Sequence, residues 1–232
     1  MNNQPKRAKH IAIDLGAESG RIIVGTLESF EVVHRFTSKS VRIGKHLYWD
    51  AYAIFQEIKA GLKAAFSRFG SEIVSMGIDS WGVDYGLLDR DGDLIGSVYH
   101  YRDGRTNGAI DELFSTVPKA EIYSQTGIQF MQFNSSFQLY IHAKEKPYQI
   151  EAAQTMLLLP CLFGYWLTGV MQNEYTHATT TQLYNPVEGD WAWDLIERLG
   201  LPSRIFKKAE RTGSSLGTLL PEIREEIDAG RE

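Results

Sequence analysis

Between His10 and Leu27 the chain reads HIAIDLGAESGRIIVGTL. Two β-favouring runs are joined by a turn with two glycines, and this segment constrains the fold more than any other. The first run, His10–Leu15, ends on an acid, Asp14, and is closed by Gly16. The second, Arg21–Leu27, and a third, Glu31–Phe36, are rich in β-branched residues, which lose little on a pleated surface and crowd in a helix. Three strands joined by tight turns are therefore predicted to open the protein. The acid inside the first apolar run argues against a signal peptide or a membrane span.

The pattern then changes period. Asp50 is placed to cap a helix in which Ile54, Ile58, Leu62 and Ala65, with Phe55, Phe66 and Phe69, recur at helical spacing until Gly70. Ile73–Asp79 reads as a buried strand. Asp91-Gly92 signals a hairpin turn between Tyr85–Leu88 and Leu94–Tyr99. Helices are expected at Gly108–Phe114, Lys119–Gln125, Asn134–Lys144, Pro160–Leu167 and Trp191–Leu199, the last stopped by Gly200 with Pro202 beyond. The closing EIREEIDAGRE is polar and is expected to complete no core. Strands, a helix, a strand and then helices make an α/β fold with a mixed β-sheet flanked by helices.

Composition narrows the partners. At 232 residues the chain fits one large domain, and its 43% hydrophobic content suits a folded core. A net charge of −5 offers no basic field for nucleic acid or an anionic membrane. The single cysteine, Cys161, excludes an internal disulfide and points to a reducing, cytoplasmic setting. The six histidines are scattered, without the spacing of a zinc site.

Two segments carry candidate chemistry. Asp14-Leu15-Gly16-Ala17-Glu18-Ser19-Gly20-Arg21 lies between strand signals. It fails as a Walker loop, since its second glycine comes one residue early and Arg21 opens a strand. It fails as a dinucleotide fingerprint, since Glu18 stands where glycine is needed. What survives is a strand–turn–strand loop whose backbone amides can approach phosphate oxygens, with Asp14 able to hold Mg²⁺ through water and Arg21 able to pair with phosphate. An ordinary hairpin turn with a capping aspartate is the competing reading.

The second segment, Ile78-Asp79-Ser80-Trp81-Gly82-Val83-Asp84-Tyr85, follows a buried strand. Open α/β sheets hold ligands at that end of their strands. Trp81 beside Gly82 offers a flat apolar wall with close backbone approach, suited to the CH surface of a sugar, and the carboxylates can fix hydroxyls. A core tryptophan and a satisfied turn aspartate would read the same way. Tyr101-Arg102-Asp103-Gly104-Arg105-Thr106-Asn107 gathers both charge signs, and Thr126–Asn134 alternates amides with aromatics. The tract Asn173–Leu183 reads as small residues lining tight packing.

In this order, DLGAESGR, IDSWGVD, YRDGRTNG and TGIQFMQFN resemble the carbohydrate kinase family that holds glycerol kinase, xylulokinase and ribulokinase. The last three motifs resemble its rhamnulose branch. The resemblance runs from about His10 to about Leu220. It implies an actin-like ATPase (ribonuclease H-like) domain that works with ATP and Mg²⁺ on a small sugar, L-rhamnulose or a related ketose such as a fuculokinase substrate. By the same resemblance Ala17, Glu18, Ser19, Gly20 and Arg21 would serve the ATP phosphates, and Asp14 the metal through water. Gly82 would contact the sugar, Trp81 and Asp84 would wall or orient it, and Arg102, Gln129 and Asn134 would add contacts. Glu18 departs from the small hydroxyl residue of many relatives, so its side chain must face away from phosphates.

The family's general base is an Asp in a His-Asp-Thr stretch of a second domain, and no His-Asp-Thr occurs among these residues. The expectation is that residues 1–232 are the amino-terminal, sugar-binding and phosphate-loop half, lacking the carboxy-terminal ATP-binding domain and inactive alone. A non-catalytic sugar-binding remnant is the alternative from another functional class. A half of this kind would expose an inter-domain face through which it could self-associate.

Overall fold

The computed structural model describes residues 8–230. The basic opening MNNQPKR and the last two residues lie outside them. Three antiparallel strands, β1 (Lys9–Leu15), β2 (Ser19–Gly25) and β3 (Phe30–Thr37), come first as the sequence requires. A hairpin of β4 (Ser40–Ile43) and β5 (His46–Trp49) follows, turned by Gly44 at φ 58°, and was not foreseen. Helix α1 (Ala51–Phe69) begins where Asp50 accepts a hydrogen bond from the Ala53 N–H at 3.0 Å, and stops at Gly70 with φ 49°.

The chain then returns as β6 (Ile73–Ser80) parallel to β1, giving a mixed sheet in the order β3-β2-β1-β6. Ile11, Ile13 and Leu15 of β1, with Ile22 and Val24 of β2, alternate onto the buried face against Ile54, Ile58 and Leu62 of α1. The helix lies close: a Cβ on Gly61 would stand 2.2 Å from Ile22 Cγ1. The other face is open. There Ala12, Gly77 and Asp79 are exposed, and a Cβ on Gly77 would meet nothing.

Beyond the sheet come β7 (Tyr85–Leu88), α2 (Ala109–Thr116), α3 (Lys119–Thr126), α4 (Ser135–Glu145), α5 (Pro147–Ala152), β8 (Thr155–Leu158), α6 (Leu159–Thr168), α7 (Tyr175–Thr180), α8 (Trp193–Arg198) and α9 (Pro221–Glu226). The turn at Asp91-Gly92 forms, with Asp89 Oδ1 accepting from the N–H groups of Asp91 and Asp93 at 2.9 and 3.0 Å. The hairpin expected across it does not continue. After one bridge between Leu88 and Leu94, Gly96 at φ 70° turns the chain away, and Val98 and His100 bond to Trp49 and Leu47 beside β5. The freed β7 pairs antiparallel with β8, and all eight residues are buried.

The polar carboxyl-terminal segment also departs from expectation. Ile223 and Ile227 are buried, and Lys59 of α1 donates to both carboxylate oxygens of Glu226 at 2.6 and 2.8 Å. A short amphipathic turn can dock with two buried isoleucines while reading as charged overall. No helix of the described residues is long and apolar enough to cross a membrane.

Candidate active site

The register of the central strand pair builds the site. Asp14 of β1 lies opposite Asp79 of β6, and Leu15 opposite Ser80, so the two strands end together. The turn Gly16–Glu18 therefore sits beside the exit Trp81–Val83.

In the turn, the Gly16 N–H donates to Ser19 O at 3.0 Å, while Ser38 Oγ donates to Gly16 O at 2.6 Å and the Ser38 N–H to Glu18 O at 3.1 Å. These contacts leave the N–H groups of Ala17 and Glu18 without a partner among the described residues. The Glu18 side chain is exposed. Arg21 pairs with Asp14 across the hairpin. Gly20 stands outside the turn. It lies inside β2 opposite Leu15, and a Cβ there would stand 2.2 Å from the Phe36 ring, so packing demands this glycine.

At the sugar-site segment the backbone is strained. The Asp84 N–H donates to Gly82 O at 3.0 Å, closing a three-residue turn with Val83 at φ 70°. A β-branched residue in the left-handed region is an outlier, and such strain persists where surrounding contacts over-determine it. Here the Val83 N–H donates to Thr180 Oγ1 at 3.1 Å, and Val83 O accepts from Ser135 Oγ at 2.6 Å. A Cβ on Gly82 would stand 2.8 Å from Thr180 Oγ1. The small-residue tract at α7 thus serves tight backbone packing against Gly82.

Trp81 is half-buried, its ring 4.3 Å from that of Trp49, which stacks on His100 at 3.9 Å. Asp84 does not face the site. It is 1% exposed, and its Oδ2 accepts from the indoles of Trp49 and Trp81 at 2.6 and 2.8 Å while Oδ1 accepts from Gln138 at 3.1 Å. Burial pushes its carboxyl up to about 6 against these hydrogen bonds. Asn134 is 3% exposed and donates to Gln129 O at 2.8 Å, tying the loop before α4. Gln129 is exposed, in a groove of 740 Å³ that it lines with Lys119, Tyr123 and Phe130. Arg102 is exposed, its guanidinium 5.2 Å from the Tyr101 ring.

The structure brings together Trp81, Gly82 and Asp84 with the start of α4, and Asp14 with Arg21. Sequence reasoning missed Trp49, Arg105, Gln138 and Thr180. The one available signal was a glutamine at position 138 between Phe137 and Leu139 in a predicted helix.

Residues 10–229 match the amino-terminal domain of the FGGY family of carbohydrate kinases. The chain belongs to that family. It is 41% identical over 222 residues to a rhamnulokinase of Oceanobacillus iheyensis, covering 94% of this chain and 47% of that protein. It is also 41% identical over 216 residues to a rhamnulokinase of Bacteroides thetaiotaomicron, covering 91% and 44%. The FGGY domain thus spans less than half the length of these relatives. Among solved structures it resembles gluconate kinase from Lactobacillus acidophilus, with a TM-score of 0.87, 15% identity, and 96% and 46% of the two chains covered. For xylulose kinase from Rhodospirillum rubrum the TM-score is 0.85 at 19% identity, covering 96% and 47%. At such identities these likenesses establish the fold, the actin-like ATPase fold of the sugar kinases.

Proposed function

We propose that this chain supplies the sugar-binding and phosphate-binding half of an ATP-dependent kinase that converts L-rhamnulose to L-rhamnulose 1-phosphate in rhamnose catabolism. One observation carries the reading: Asp14 and Asp79 share a register, so the turn with free N–H groups and the Trp81–Gly82 exit lie side by side at the carboxyl end of parallel strands. Ligands bind at that end in open α/β sheets. The choice of L-rhamnulose draws on the relatives called rhamnulokinase.

In this reading the Ala17 and Glu18 N–H groups, with Ser19, Gly20 and Arg21, receive the phosphates. Asp14 receives Mg²⁺ through water. Among the described residues no group of three or more His, Cys, Asp or Glu could cage a metal. Mg²⁺ binds through one or two carboxylates plus phosphate and keeps its waters. When bound, the metal neutralises charge on the phosphate chain. Trp81 gives the sugar an apolar wall, Gly82 its backbone contact, and Arg102, Gln129 and Asn134 the surrounding loops.

Deprotonation of the attacking hydroxyl needs a carboxylate at hydrogen-bond reach. Asp84 is unavailable, because both its oxygens are occupied. Asp79 is exposed, 3.7 Å from His177 Nε2, and the resemblance gives it a substrate contact; in this reading the isolated half is inactive and the base comes from the second domain. Self-association runs through the uncovered sheet face of Ala12 and Gly77, and a scattering mass that stays at one chain at high concentration refutes it.

The test is a ligand-protection series with L-rhamnulose, L-fuculose, D-xylulose and glycerol, since a ligand stabilises only the state it binds. L-Rhamnulose is expected to raise the unfolding temperature most, and a coupled assay with ATP and Mg²⁺ on the chain alone is expected to show no turnover. Greater protection by another ketose overturns the substrate, and clear turnover overturns the need for a second domain.

A further inference from the structure

Asp84 poses a physical question that its place in IDSWGVD does not answer. Its carboxylate is buried, yet the groups that touch it are neutral donors: two indoles and an amide. Burying a carboxylate is far more costly than burying an amide of the same shape. Some constraint must demand the charge.

The constraint comes from Gln138. Its Oε1 accepts from Arg105 Nη2 at 2.8 Å, and a guanidinium has only donors to offer. The Gln138 amide is thereby fixed in one orientation. Its Nε2 must face Asp84 Oδ1, Phe133 O at 2.8 Å and Val83 O at 3.3 Å, acceptors all. Residue 84 thus meets an amide N–H on one oxygen and two indole N–H groups on the other. An asparagine would turn its own NH₂ against one of these donors. The ionised carboxylate, which only accepts, satisfies both sides.

The anchor of the relay is itself buried. The Arg105 side chain is 1% exposed, lies 3.7 Å from the Tyr99 ring centre, and has Asp103 Oδ1 at 3.7 Å from Nη1. Asp103 in turn accepts from the Leu47 N–H at 2.6 Å and from His46 Nδ1 at 3.1 Å. This gives YRDGRTNG a role: Arg105 points inward and sets the polarity of the network, while Arg102 points to solvent.

We propose that Asp84 is a positioning residue: held in its acceptor-only form by the Arg105–Gln138 relay, it clamps the indoles of Trp49 and Trp81 and fixes the ring plane that Trp81 presents to the sugar. The proposal rests on Trp81 being the sugar wall. His100, stacked on Trp49 at 15°, closes the far side of the clamp.

The experiment uses the chain with ¹⁵N-labelled indoles. Of its five tryptophans, Trp49 and Trp81, assigned through Trp49→Phe and Trp81→Phe, are expected to give downfield, slowly exchanging N–H signals. Asp84→Asn is expected to move both signals upfield and to weaken L-rhamnulose binding about tenfold or more by calorimetry. Trp49→Phe, which keeps the Trp81–Asp84 bond, is expected to cost less. If Asp84→Asn does not fold, the wild-type signals decide: a Trp81 N–H that exchanges freely at an unshifted position overturns the clamp. Unchanged binding in Trp81→Phe, with both wild-type signals downfield, overturns the sugar reading and leaves the clamp standing. Unchanged binding and unchanged signals in a folded Asp84→Asn overturn the proposal itself.

Discussion

Between pH 6.5 and 4, three buried histidines, His100, His142 and His177, act against the buried Asp84. His142 accepts from the Tyr85 hydroxyl at 3.0 Å and donates to Gln149 Oε1 at 2.7 Å, a pairing that suits the neutral ring. Burial pushes it down to about 4 from 6.5, and burial together with the Arg102 charge does the same to His100. A histidine with a depressed folded value contributes stability that is whole above 6.5 and lost as pH falls towards 4. Asp84 runs the other way: raised from 3.8 to about 6, its contribution is whole below 3.8 and lost as pH rises through 6. Burial lowers His177 as well, so three histidines stand against one aspartate and leave a net loss on acidification. Unfolding free energy is expected to fall between pH 6.5 and 4, and His142→Gln to flatten that limb in urea titrations across pH. A variant with the wild-type slope contradicts the assignment. At Gly82 the expectation is steric: Gly82→Ala drives a methyl into Thr180 and costs about 1–3 kcal/mol by denaturant unfolding. An unchanged midpoint would show that the loop yields freely.

At the scale of elements, α1 is the piece that sequence reads best and packing constrains most. Its cap, apolar stripe and stop glycine were legible because each acts within a few residues. Gly61 was not, because its reason is Ile22, a strand away in the fold. Helix propensity alone favours Gly61→Ala by about 1 kcal/mol. The 2.2 Å approach to Ile22 reverses the sign, so the variant is expected to be destabilised by about 1–3 kcal/mol. Ile22→Ala in the same chain should recover part of that loss, and a stabilised Gly61→Ala in thermal melts would contradict the close packing. The docking of α9 makes a second claim. Glu226→Gln leaves the Lys59 ammonium with a neutral partner, and is expected to cost about 1–2 kcal/mol, measured by urea unfolding. No measurable loss would mean that the pair is as weak as an exposed one.

The same distinction explains what the sequence left hidden. The β1–β2 hairpin and the return strand β6 were legible because period and turn chemistry are local. The partner of β7 was not, since its pairing with β8 joins residues some seventy positions apart and the intervening turn signal pointed to Leu94 instead. Within the candidate site, Asp14, Trp81 and Gly82 were singled out through motifs, yet the inward turn of Asp84 depends on Trp49 and Gln138 from two other elements. Motif resemblance marks where chemistry gathers; only packing decides which side chain faces it.

For the molecule as a whole, the uncovered sheet face and the committed Asp84 carboxylate fit the proposed reading of a half that holds ligand and takes its general base from a second domain. The most direct test is the crystal structure of this chain grown with L-rhamnulose. The account predicts a sugar ring stacked on the exposed side of Trp81, within about 4 Å of it, its hydroxyls against Gly82 and its reacting end towards the Ala17–Glu18 turn. A sugar bound elsewhere, with Trp81 and the turn untouched, would contradict it.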